Sequence, residues 1–72
     1  MAESNITEIL LASLRRDGSR YPRELRDIEV AFAALELPRA FRLMAALKDR
    51  GVWQPTPAEA AALEDFWWEY GQ

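Results

Sequence analysis

Nucleophilic catalysis needs a serine, threonine, cysteine or lysine beside a base, and this chain has neither cysteine nor histidine. The remaining candidates are Ser4, Ser13, Ser19, Thr7, Thr56 and Lys48. Most of them stand where a helix cap or a turn is reason enough for the side chain. Paired carboxylates could do acid–base work. They occur at Glu24/Asp27 and Glu64/Asp65, on expected helix surfaces, in a 72-residue chain too small to fold a cleft round a substrate. No metal is expected, because histidine and cysteine ligands are missing and no EF-hand loop can be written. Three glycines make no phosphate-cradling loop. This inventory predicts a protein that is not an enzyme and needs no cofactor.

Recognition is the chemistry left. All nine basic residues lie between Arg15 and Arg50, while the segment after Gly51 carries Glu59, Glu64, Asp65 and Glu69 with no base. A mildly basic middle is thus joined to an acidic, aromatic end, within a net charge of −3. Arg39, Arg42 and Arg50 share one face of an expected helix, and five more arginines precede them. The segment Leu37-Pro38 through Arg42 to Arg50-Gly51-Val52 resembles the recognition helix and following turn of winged-helix regulators, over about sixteen residues. That resemblance implies DNA binding through Arg39, Arg42 and Arg50. It departs from the pattern in a helix about two residues short at its start, in the absence of hydroxyl-rich base-reading positions, and in a further helix where a β-hairpin wing would follow. An acidic chain also repels phosphate.

The acidic end favours a protein partner. Phe66, Trp67, Trp68 and Tyr70 are four aromatics within five positions, and on a helix each residue turns ~100° from the last. Leu63, Phe66, Trp67 and Tyr70 fall at i, i+3, i+4 and i+7, so one stripe should bury them. Trp68 falls off that stripe on the side of Glu64 and Asp65 and should stay at least partly wet. A large amphipathic side chain at a rim, beside carboxylates, has the composition of an interaction surface. Trp68, Glu64 and Asp65 are therefore the expected anchors, with Trp53 after them. Trp53 has a second reading, as a core residue capping one end of the fold.

These side chains need a scaffold. Length admits one domain, residues 1–72, near the lower size limit for a single core. Half the residues are apolar and 29% are charged, which argues for a globular chain. Nothing resembles a targeting segment, and no apolar run reaches the ~18–20 residues that span a bilayer. The expectation is a complete, cytoplasmic, small gene product that does not engage membranes. Broad apolar faces on the second and third helices leave homodimerisation as a further possibility.

Punctuation predicts four helices, at about 5–16, 22–35, 38–50 and 57–70. Asn5 is an N-cap with Glu8 in capping-box spacing. Ile6, Ile9, Leu10 and Leu14 form a face, and Gly18 is the expected stop. Pro22 opens the second helix, whose stripe is Leu25, Ile28, Phe32 and Leu35, widened by Val30 and neighbouring alanines. Pro38 opens the third, with Ala40, Phe41, Leu43, Met44 and Leu47 inward and Gly51-Val52 as a Schellman stop. Thr56-Pro57-Ala58-Glu59 is the cleanest start signal: N-cap, Pro at N1, Glu at N3. No stretch alternates with period two, so strands are not expected. The fold class is all-α, a compact bundle or an orthogonal array of four short helices.

Overall fold

The computed structural model describes residues 5–71; Ser4, one of the hydroxyls considered above, lies outside them. The four helices are present: α1 (Ile6–Arg16), α2 (Pro22–Ala33), α3 (Leu37–Arg50) and α4 (Pro57–Phe66). No strand occurs among the described residues. The helices pack as two pairs, α1 along α4 and α2 along α3, and the turn after α4 folds back on α3. Leu10 and Leu14 of α1, Ile28 of α2, Met44 and Leu47 of α3, and Phe66 of α4 meet in one core.

Asn5 caps α1 as expected, its Oδ1 accepting the Thr7 N–H at 3.0 Å. The buried arc is Leu10, Ser13 and Leu14, at i, i+3 and i+4. Ile9, expected inside, lies at the edge of that arc and is exposed. Gly18 does not stop the helix in a left-handed conformation. The chain leaves α1 at Asp17 and enters a 3₁₀ turn, Gly18–Arg20. A Cβ at Gly18 would stand 2.8 Å from Leu25 Cδ2, the movable end of a flexible side chain. The next residue, Tyr21, is buried, and its hydroxyl donates to the Leu14 carbonyl at 2.7 Å. That carbonyl is one of the last four of α1, which have no partner within the helix.

Helix α2 ends two residues short of the predicted Leu35. Leu35 has φ of +60° and is the one non-glycine residue with positive φ among those described. Its N–H donates to the Phe32 carbonyl at 3.0 Å, and the Glu36 N–H donates to the Ala31 carbonyl at 2.8 Å. These are the two closing bonds of a Schellman turn, with leucine where glycine is usual. Pro38 explains the early stop, because a helix continued through it would lose a backbone bond and clash with the carbonyl four residues back, at Ala34. The turn throws Leu35 outward, 79% exposed, instead of adding it to the α2 stripe. Val30 is exposed for a related reason, lying off the Ile28–Ala31 arc.

Left-handed backbone costs an L-residue about 1–2 kcal/mol, part of which glycine returns as unfolded-chain entropy. Leu35→Gly is therefore expected to stabilise the fold by about 1 kcal/mol, a rise in Tm of ~4–8 °C at this size. Thermal circular dichroism measures it; an unchanged or lower Tm contradicts it.

Helix α3 begins at Leu37, with Pro38 in the first turn, one residue earlier than expected. It ends at Gly51, φ +77°, whose N–H donates to the Lys48 carbonyl at 3.0 Å. The second bond, to the Leu47 carbonyl, comes from Trp53 at 3.5 Å, one residue later than a Schellman turn would place it. Val52 packs back against the core as expected. The capping box of α4 has both bonds: Thr56 Oγ1 accepts from the Glu59 N–H at 3.2 Å, and Glu59 Oε1 from the Thr56 N–H at 2.9 Å.

Candidate functional site

The predicted fourth helix does not stay α to its end. After Phe66 it widens into a π-turn, Trp67–Gly71. With hydrogen bonds spanning five residues in place of four, each residue turns through less than the α-helical angle, and the aromatic stripe fans out. Gly71 leaves room for the Trp67 ring, which a Cβ at that position would meet. Phe66 is sealed in the core, edge-on to Phe32 at 5.6 Å between centroids. Trp67 and Tyr70, expected to be buried with it, are instead 38% and 39% exposed. Each keeps one ring neighbour, Trp67 with Phe41 at 5.1 Å and Tyr70 with Phe66 at 5.0 Å. Trp68 is 65% exposed, as its phase on the helix required.

Between α3 and α4 runs an open groove of about 580 Å³. Phe41, Ala45, Lys48 and Asp49 form the α3 wall, and Ala60, Leu63, Glu64 and Trp67 the α4 wall. The contact of Phe41 with Trp67 closes one end aromatically, while the two alanines leave the middle unfilled. Glu64 and Asp65 are exposed on α4, and Glu69 on the π-turn. Among the described residues no ion pair reaches any of these three carboxylates. Of the predicted Trp68, Glu64 and Asp65, the structure places Glu64 in the wall of a groove that sequence reasoning missed, with Asp65 and Trp68 exposed just after it in the chain. Of the groove's apolar lining, Leu63 is buried in the core as expected, Phe41 packs against that core, and Trp67 is half-exposed. The signal that could have found the groove is the pair of facing alanines, Ala45 and Ala60, too small to close two helical walls.

Trp53 does not belong to this surface. It is 1% exposed, and its indole N–H donates to Ser13 Oγ at 3.0 Å. Of its two readings, the core reading is the one observed, and it is withdrawn as a binding anchor. Ser13 is buried and donates onward to Glu59 Oε1 at 2.7 Å. Arg16 donates to Glu59 Oε2 at 2.9 Å and to the Gln54 carbonyl at 3.3 Å. One carboxylate thus ties α1, the link and the start of α4 together. Partial burial raises the Glu59 pKa, but the Thr56 N–H, the Arg16 guanidinium and the Ser13 hydroxyl outweigh it and lower it to about 2. Ser13 and Glu59 have the spacing of a nucleophile and a base. A hydroxyl sealed from solvent beside so weak a base is suited to holding helices together and not to proton transfer.

The arginines of the winged-helix resemblance are exposed, as expected of that face. Two already hold carboxylates of the same chain: Arg39 meets Glu36 at 3.2 Å and Arg50 meets Glu24 at 3.5 Å. Arg42 makes no ion pair among the described residues. No helix among the described residues is long and apolar enough to cross a membrane. Compared with protein families, with curated proteins and with solved structures, the chain matches none.

Proposed function

We propose that this chain is a small, non-catalytic, cytoplasmic protein-binding domain that acts by occupying a surface on a larger protein. The observation that carries the reading is the exposure of Trp68 at the end of α4, beside three carboxylates to which no basic side chain of the described fold is paired. A monomer that buries Trp53 and Phe66 has the means to cover an indole, and it leaves this one 65% exposed. Exposed tryptophan rimmed by polar groups is the usual composition of a binding hot spot. Nucleic-acid binding through Arg39, Arg42 and Arg50 is the weaker reading, because two of those guanidinium groups have intramolecular partners.

The test is affinity capture with tagged protein, comparing the wild type with Trp68→Ala. Truncating a hot-spot tryptophan costs about 2–4 kcal/mol, a loss of roughly 30-fold or more in affinity. One enriched protein should vanish with Trp68→Ala while helical circular dichroism is unchanged. Retention of every partner by that variant contradicts the reading. So does salt-sensitive DNA retention that disappears with Arg39→Ala and Arg42→Ala.

A further inference from the structure

The α3/α4 groove specifies what kind of segment would fill it, provided the protein-binding reading holds. Its floor is apolar, and its charged groups stand on the rim. On the α3 side Lys48 and Asp49 are neighbours of opposite sign, whereas Glu64 on the α4 side has no compensating base, and Asp65 and Glu69 follow it. The balance at this end is negative, which disfavours nucleic acid and anionic lipid. It also disfavours a second copy of this chain, since a two-fold contact would set the same carboxylates against one another. Small-molecule sites carry convergent polar groups that fix orientation, and here the charged groups of the lining, Lys48, Asp49 and Glu64, are exposed.

The walls favour a helix as occupant. From Phe41 to Asp49 the groove runs about 12 Å along α3, two helical turns, enough for anchors at i, i+3 or i+4, and i+7. Ala45 and Ala60 let a third helix approach to the ~8–10 Å axis separation of ordinary helix packing. An extended peptide would find no sheet edge among the described residues.

We infer that the groove receives one amphipathic, basic helix of the partner protein. An apolar side chain seats between Phe41, Leu63 and Trp67, and lysine or arginine side chains lie against Glu64, Asp65 and Glu69. The probes are two synthetic 14-residue helical peptides with the same leucine face, one bearing lysine on its polar face and the other glutamate. Titrated into isotope-labelled full-length protein, the lysine peptide should bind at least about tenfold more tightly, a difference equal to 1.4 kcal/mol. Amide shifts should concentrate at Ala45, Ala60, Leu63 and Trp67. Ala60→Trp, which fills the groove, should abolish binding with the helical spectrum intact, and the exposed substitution Glu64→Lys should weaken it about tenfold.

Equal binding of both peptides, shifts on another face, or full affinity of Glu64→Lys overturns the inference, whether or not Ala60→Trp folds. A dimer in sedimentation that Ala60→Trp dissociates also overturns it. The two proposals fail separately. If a captured partner is lost with Trp68→Ala but kept by Ala60→Trp, the groove assignment falls and the protein-binding reading stands; if it is kept by both, both fall.

Discussion

Trp53→Ala should cost the protein a large share of its folding stability. Removing a fully buried tryptophan costs about 3–5 kcal/mol through lost transfer energy and the cavity left behind. A domain of this size has only ~4–11 kcal/mol in all. The indole also supplies the N–H that Ser13 Oγ accepts in the core, and its loss disturbs the hydroxyl that reaches Glu59. Trp53→Phe separates the two contributions, since it keeps most of the ring volume and removes the N–H. It should cost about 1–3 kcal/mol. Urea denaturation followed by circular dichroism distinguishes them, and a Trp53→Ala protein within 1 kcal/mol of wild type would contradict the burial described here.

The second large effect lies at Glu59. Its carboxylate receives the Thr56 N–H, the Ser13 hydroxyl and the Arg16 guanidinium, within 2.9 Å in each case. Glu59→Ala removes half of the capping box and leaves the buried Ser13 hydroxyl without its acceptor. Together these should cost about 2–3 kcal/mol at neutral pH. The same group governs the acid response. Its pKa in the folded protein, about 2, lies below the ordinary 4.5. The stabilisation is therefore fully present above pH 4.5 and is lost as pH falls from there toward 2. After screening of the exposed Arg16 partner this amounts to about 1–2 kcal/mol. Wild type should lose that increment between the two pH values, and Glu59→Ala should lose less. Parallel acid profiles for the two proteins would show that Glu59 is not the group responsible.

Much of the scaffold was legible because its signals are local. Asn5 and Thr56-Pro57-Ala58-Glu59 mark helix starts through bonds that span two or three residues, Pro22 marks one through its fixed φ, and the helices begin there. Gly51 marks an end because the turn needs a positive φ. Leu35 shows where this logic stops. With no glycine near Pro38, the turn took its positive φ from a residue whose type predicts more helix. Periodicity likewise placed Trp68 outside correctly, since off-stripe phase is a property of one helix. It misjudged Trp67 and Tyr70 because the π-turn breaks the 100° spacing on which the stripe rests.

By itself the sequence determined an all-α chain of four capped helices, the absence of cysteine and histidine, and one tryptophan in excess of the buried stripe. Only the tertiary structure decided which indole is the core and which is the surface. Trp53 is enclosed in the core, where Ser13, forty residues earlier on the buried arc of α1, satisfies its N–H. The same folding places Ala45 and Ala60 on opposite walls of the groove between α3 and α4, which are not packed partners. Capping and phase act within a few residues and can be read along a chain, whereas hydrogen-bond partners and gaps arise between elements that meet only once the chain has folded.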